Sequence, residues 1–174
     1  RKLIATYANE DGTMKVDQDI IKGIQEADRI YIIAAGTSYH AGFGAKMMLE
    51  SLTNTPVELG LASEWGYDMP LLSQKPFFIF LSQSGETADS RQVLVKVNEL
   101  GLPSLTVTNV PGSTLSREAT YTMLIGAGPE IAVASTKAYT GQIATLAFLA
   151  KAVGEVEGEV KAKEFDLVKE LSLV

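Results

Sequence analysis

Cysteine is absent from the 174 residues of this chain, and histidine occurs once, at position 40. Without cysteine the chain can form no disulfide, no cysteine-based zinc site and no cysteine nucleophile. No apolar run approaches the roughly 20 residues that a membrane-spanning helix needs, and no signal peptide is visible. These absences predict a cytoplasmic protein that has no membrane partner.

Positive charge is also scarce, because 15 Lys and Arg stand against 21 Asp and Glu and give a formal net charge of -6. This balance argues against a nucleic-acid partner, for which a basic face is expected. An acidic ligand would meet an unfavourable overall field, so any anion site must be built locally. The chain length suits one domain with a substantial core.

Two nucleotide-binding motifs are missing as well. The P-loop pattern Gly-x-x-x-x-Gly-Lys-Ser/Thr does not occur, and glycines 36, 42 and 44 lack the spacing of the dinucleotide fingerprint. We therefore expect neither a cofactor nor a metal.

Five apolar stretches alternate with helical patterns and predict strands at 29–35, 56–61, 77–81, 104–108 and 121–125. The alternation predicts an α/β protein, a three-layer doubly wound domain with a five-stranded parallel sheet in the flavodoxin-like order 2-1-3-4-5. In that order, ligands bind beyond the carboxyl ends of strands 1 and 3.

The chain divides into three predicted segments. Residues 1–16 are polar and have the composition of a linker or arm, 17–155 form the domain, and 156–174 form a last helix that could lead into a further domain. The chain begins at Arg1 without a methionine and has no obvious end signal, so we expect a segment of a longer protein.

Residues 82–87, Ser-Gln-Ser-Gly-Glu-Thr, are the most informative stretch. They follow the third strand and precede a helix, and a hydroxyl-rich loop in that position can bind a phosphate without a cationic side chain. Gly85 lets the backbone approach closely, and Gln83 can donate to a phosphate or sugar oxygen. Helix capping needs only one such residue, so hydroxyls on both sides of the glycine favour an anion site.

Two further hydroxyl-rich segments follow strands 1 and 5. The predicted order places the first, the loop Gly36-Thr37-Ser38, beside residues 82–87, and the second ends in Val133-Ala134-Ser135-Thr136-Lys137. For Thr37 or Ser135 alone, helix capping is the better interpretation.

Three charged or titratable residues near these loops have open roles. His40 could be catalytic, although a helix-surface or packing histidine is the better interpretation. Glu130 could be a base or a solvated loop carboxylate, and Lys137 could reach a phosphate or point to solvent.

Three blocks together carry a family resemblance: residues 36–42, Gly-Thr-Ser-Tyr-His-Ala-Gly; 82–89, Ser-Gln-Ser-Gly-Glu-Thr-Ala-Asp; and 133–139, Val-Ala-Ser-Thr-Lys-Ala-Tyr. They resemble the first sugar isomerase (SIS) domain of the glucosamine-6-phosphate synthase family, the glutamine-dependent fructose-6-phosphate aminotransferases. The resemblance covers about residues 17–155, with the blocks in the family's order and spacing. The middle block marks SIS domains in general, and the last block points to the synthases.

The resemblance implies a substrate-binding role for each matching residue. The phosphate of the sugar would be held by Ser82, Gln83, Ser84 and Thr87, the pocket lined by Gly36, Thr37 and Ser38, and its sugar side completed by Val133 and Ser135. Some family members have a cysteine where this chain has Ala35, so a thiol is dispensable there.

The resemblance also implies what lies elsewhere. The family enzyme makes glucosamine 6-phosphate and glutamate from fructose 6-phosphate and glutamine, using a glutaminase domain with a cysteine nucleophile and a second SIS domain with the catalytic glutamate, lysine and histidine. We therefore expect this chain to be a hexose-phosphate-binding homodimer without catalytic residues of its own. Two alternatives stay open: a free-standing SIS isomerase with its site between subunits, and a sugar-phosphate sensor attached to a regulatory module.

Overall fold

The computed structural model of the chain describes residues 2–128 and 136–172. A five-stranded sheet lies at its centre, with all neighbouring strands parallel and in the order β2-β1-β3-β4-β5. The strands are β1 (Arg29–Ala34), β2 (Val57–Leu61), β3 (Pro76–Ser82), β4 (Ser104–Thr108) and β5 (Tyr121–Leu124). The predicted fold class and strand order are confirmed, and each strand ends within one residue of its predicted bound.

Helices flank the sheet on both faces. In the described ranges they are α1 (Lys2–Tyr7), α2 (Gln18–Gln25), α3 (Gly36–Thr53), α4 (Ala62–Tyr67), α5 (Ala88–Glu99), α6 (Thr114–Glu118), α7 (Thr136–Glu157), α8 (Val160–Glu164) and α9 (Leu167–Ser172). None of these helices is both long and apolar enough to cross a membrane.

Alternate residues of the central strands face two separate helix layers. In β1, Ile30 and Ile32 belong to the core shared with α2, α3 and α7, whereas Tyr31 and Ile33 belong to the core shared with α4, α5 and α6. All seven residues of β3 are buried, and each large apolar side chain buried in this way stabilises the fold by about 1.5–3 kcal/mol. The double burial explains why β1 is apolar from Ile30 onward and β3 is apolar up to Leu81.

The segment predicted as a linker or arm lies against the domain. Its helix α1 ends at Tyr7, whose buried hydroxyl donates to the Leu124 carbonyl at 2.8 Å and accepts from the Leu124 N–H at 2.7 Å. An antiparallel bridge joins Ala8 to Met14, and Val16 is buried in the core. The boundary at residue 17 stays a prediction.

Three local predictions differ from the structure. Residues 36–38 are not a loop, because α3 begins directly at Gly36. Residues 109–113, Asn-Val-Pro-Gly-Ser, have the composition of a turn, and the structure continues from them into the short helix α6. The last helix expected within residues 156–174 is two helices, α8 and α9, because the chain is extended at Phe165 and so can pack both Phe165 and Leu167 against the core.

Candidate functional site

Two of the three predicted segments meet at one edge of the sheet. β1 and β3 are neighbours, with Ala34 opposite Leu81, so α3 and residues 82–87 both begin where these strands end. The N-cap residue is Ala35 for α3 and Thr87 for α5, the helix that follows residues 82–87. In neither helix does the N-cap side chain accept a hydrogen bond from the first turn. The first N–H groups of a helix lack intrahelical partners and lie at the positive end of its dipole. The edge therefore presents two helix N-termini suited to an anion.

The hydroxyls of residues 82–87 bond within the loop. Ser82 is buried; its Oγ accepts from the Gly85 N–H at 2.9 Å and shares a 2.8 Å hydrogen bond with Thr87 Oγ1. Ser84 Oγ accepts from the Glu86 N–H at 3.1 Å. A hydroxyl that accepts still has its own proton to donate. Ser84 and Thr87, both half-buried, can therefore donate to a ligand, while Ser82 supports the loop.

Gly85 is required at its position for two reasons. Its φ is +67°, in the left-handed region that side chains rarely adopt. A Cβ there would also overlap the Ser113 hydroxyl and lie 3.0 Å from Thr108 Oγ1. The glycine therefore lets the loop lie directly on β4 and the segment that follows it.

That segment also holds the backbone carbonyls of the loop. The Gln83 carbonyl accepts from the Asn109 N–H at 3.0 Å and from the Thr108 hydroxyl at 3.2 Å. The Gly85 carbonyl accepts from the Leu115 N–H at 2.9 Å. Carbonyl oxygens repel an anion, so their engagement toward β4 and α6 leaves the β1 side of the loop better suited to one.

Glu86, the only acidic residue of the loop, is engaged in the same direction. Its carboxylate accepts from the Thr114 N–H at 2.8 Å and from the Thr114 hydroxyl at 2.6 Å. The Thr114 hydroxyl, then its N–H, hold the pKa of the Glu86 carboxyl below its ordinary range, and the charges of Arg117 and Arg91 act in the same sense.

On the α3 side of the site, Ser38 has a buried hydrogen-bond partner that the sequence did not reveal. The Ser38 hydroxyl accepts from Gln142 Nε2 of α7 at 2.8 Å, and Gln142 is almost fully buried. A lone amide within the apolar stretch of α7 was the only signal in the sequence. Gly36 and Thr37 are exposed at the start of α3, which leaves them accessible to a ligand.

The remaining predicted residues divide into two groups. His40 is exposed on α3, with its ring edge-on to Tyr39 at 6.0 Å, and Lys137 is exposed in the first turn of α7. Val133, Ser135 and Glu130 lie outside the described residues. Within the described ranges no cluster of three or more His, Asp or Glu could hold a metal ion. The substrate-binding roles of all the named residues stay predictions.

Comparison with known proteins identifies the family. The SIS domain profile matches residues 23–152, well over half of the chain. The chain therefore belongs to the SIS domain family.

Individual relatives agree with this assignment and confirm the resemblance seen in the sequence. The chain is 99% identical over its 174 residues to a glutamine–fructose-6-phosphate aminotransferase [isomerizing] of Lactococcus lactis subsp. lactis, and 80% identical to the protein of the same name from Streptococcus agalactiae. All of this chain is matched in each case, but it spans only 29% of the relative. The solved C-terminal domain of glucosamine-fructose-6-phosphate aminotransferase from Francisella tularensis superposes with a TM-score of 0.85 at 32% identity, over 95% of this chain and 47% of that one.

Proposed function

We propose that this chain binds a hexose phosphate, fructose 6-phosphate, at the edge between β1 and β3. The phosphate lies against residues 82–87 and the start of α5, and the sugar lies against the first turn of α3. The observation that carries the proposal is the pairing of two uncapped helix N-termini with the Ser84 and Thr87 hydroxyls. The names of the relatives, which are fructose-6-phosphate aminotransferases, support the choice of sugar.

This arrangement explains how an acidic protein can hold an acidic ligand. The net charge of -6 gives no long-range attraction for a phosphate. Helix N-termini and neutral hydroxyls act only at short range, so they can bind the anion locally.

In the whole protein, we propose, the chain is the sugar-binding part of an enzyme that makes glucosamine 6-phosphate from fructose 6-phosphate and glutamine. A glutaminase domain and a second SIS domain would then lie in the part of the relatives that this chain does not match. Ring opening and isomerisation need a positioned acid and base, and we assign neither here. Incubation with fructose 6-phosphate should therefore yield no glucose 6-phosphate, and measurable formation of it by the isolated chain would contradict the assignment.

The homodimer stays part of the proposal. Phe43 is 67% and Met47 80% exposed, four residues apart on α3, and exposed apolar surface of this kind supports association with a second copy. Sedimentation equilibrium of the chain tests this, and a monomer at all concentrations would contradict it.

The binding site is tested by removing two hydroxyls. Replacing Ser84 and Thr87 together by Ala should weaken fructose 6-phosphate binding by about 3–6 kcal/mol at most, because two hydrogen bonds to a charged group are lost. Isothermal titration calorimetry measures the affinity, and thermal unfolding shows whether the fold survives.

A matched control removes two hydroxyls away from the site. Ser51 in the last turn of α3 and Tyr67 at the end of α4 are both exposed, and the Ser51→Ala, Tyr67→Phe variant should bind like the wild type. Unchanged affinity in the Ser84→Ala, Thr87→Ala variant would contradict the proposal. Global unfolding of that variant would instead favour a purely structural role for the loop.

A further inference from the structure

Glu86 stands where a negative charge is unexpected. It belongs to residues 82–87, for which we propose a phosphate ligand, in a chain whose net charge is already -6. Like charges a few ångströms apart repel, so a carboxylate in this loop should weaken the binding of a phosphate. If the loop binds a phosphate, Glu86 should therefore favour binding in some other way that offsets this repulsion.

The hydrogen bonds of the Glu86 carboxylate show how it can do so. Its two oxygens accept from two donors of a single residue, the N–H and the hydroxyl of Thr114, at 2.8 and 2.6 Å. Thr114 is the first residue of the five-residue helix α6, so its N–H has no acceptor within that helix. The Arg117 guanidinium donates to Thr114 Oγ1 at 3.3 Å from the next turn, so a cation also lies beside the pair.

The direction of this contact follows from the strand order. β1 lies on one side of β3, and β4, which leads into α6, lies on the other. The carboxylate therefore reaches away from the β1 side, where the proposed ligand lies. The neighbouring Gly85 carbonyl is bonded toward α6 by the Leu115 N–H at 2.9 Å, so two successive residues of the loop are attached to α6.

We infer that Glu86 is a positioning residue: its carboxylate anchors residues 82–87 to α6 and so holds the donors of the loop toward a sugar phosphate between β1 and β3. The inference rests on the proposed function of that loop. The lowered pKa of Glu86 is consistent with it, because the carboxylate stays charged and can accept both Thr114 donors.

The inference is tested by whether Glu86→Ala strengthens or weakens the binding of fructose 6-phosphate. If Glu86 were only a nearby negative charge, Glu86→Ala would bind fructose 6-phosphate more tightly than the wild type. If Glu86 positions the loop, Glu86→Ala should bind about tenfold more weakly, the effect of losing two charge-assisted hydrogen bonds that order the site. Calorimetric titration of the intact chain measures the affinity. Glu99→Ala, which removes an exposed glutamate at the far end of α5, is the matched control and should bind like the wild type.

Substitutions of Thr114, the hydrogen-bond partner of Glu86, give a second test that leaves the carboxylate in place. Thr114→Val removes the hydroxyl donor and should weaken binding several-fold, whereas Thr114→Ser keeps the hydroxyl and should restore wild-type affinity. This pair decides the question if Glu86→Ala fails to fold. Equal affinity of the Val and Ser variants, or tighter binding by a folded Glu86→Ala, would overturn the inference.

Amide hydrogen exchange without ligand separates this inference from the proposed function. Loss of the anchor should speed exchange of the Leu115 N–H in Glu86→Ala relative to Glu99→Ala. If the wild type binds no fructose 6-phosphate but Leu115 still responds, the proposed function fails and the anchor stands. If the wild type binds but neither affinity nor Leu115 exchange changes, only the anchor fails.

Discussion

At the residue scale, Gly85 connects the shape of the loop to its proposed ligand. Its left-handed backbone and its contact with the Ser113 and Thr108 side chains leave no room for a Cβ. Gly85→Ala should lower the free energy of unfolding by about 2–6 kcal/mol, because backbone strain and overlap add together. It should also abolish measurable fructose 6-phosphate binding. Urea denaturation and calorimetry measure the two effects.

Gly101 provides the matched control for this substitution. Its φ is also positive, at +68°, but no atom of the part of the chain that the structure describes lies within 4 Å of the position its Cβ would take. Gly101→Ala should therefore show the strain without the overlap and without loss of binding. If Gly85→Ala is no more damaging than Gly101→Ala, the packing of the loop on Ser113 is not what fixes its conformation.

The sequence predicted the residues of the loop but not their partners. Residues 82–87 can be recognised in the sequence by their hydroxyls and by their place after an apolar strand. The Thr114 hydroxyl and Gln142 come from distant parts of the chain, 28 and 104 residues away from Glu86 and Ser38. Such contacts depend on how the helices pack, and no local pattern indicates them.

At the element scale, α1 attaches the N-terminal segment to the sheet through one side chain. The Tyr7 hydroxyl both donates to and accepts from the backbone of Leu124. Tyr7→Phe should lower the free energy of unfolding by about 1–3 kcal/mol, because both backbone groups lose their partner. Tyr67→Phe removes a hydroxyl from a side chain that is 86% exposed, and urea denaturation should show no change for this control.

Tyr7 should also make the free energy of unfolding fall at high pH. Burial, partly opposed by the hydrogen bond to Leu124, raises the pKa of Tyr7 above its ordinary value of 10.0. Its contribution to stability is therefore complete below pH 10 and is lost as the pH rises from there toward the pKa of the folded state. The free energy of unfolding should fall more steeply above about pH 10 for the wild type than for Tyr7→Phe. Parallel curves would show that Tyr7 ionises equally in both states.

Strands were easier to predict than helix starts, and the reasons are physical. β1 and β3 are buried on both faces, so their continuous apolar runs identify them. α3 starts after Ala35, which has no capping side chain that would mark a helix start. Its first residues, Gly-Thr-Ser at 36–38, have the composition of a loop and were predicted as one. α6 has only five residues, too few for an apolar period to be recognised.

At the scale of the whole molecule, the fold explains where the proposed ligand lies. The order β2-β1-β3-β4-β5 places a crossover connection on each side of the gap between β1 and β3, so α3 and α5 begin at the same edge. This feature followed from the alternation of strands and helices in the sequence. The activity that we propose for the whole protein does not follow from it, because the chain spans only 29% of its curated relatives.

We propose above all that the carboxyl ends of β1 and β3 bind a sugar through its phosphate. Calorimetric titration of the chain with fructose 6-phosphate, and in parallel with fructose, tests this most directly. We predict saturable binding of fructose 6-phosphate and none of fructose at the same concentrations. Absence of binding, or equal affinity for both sugars, would contradict the proposed function.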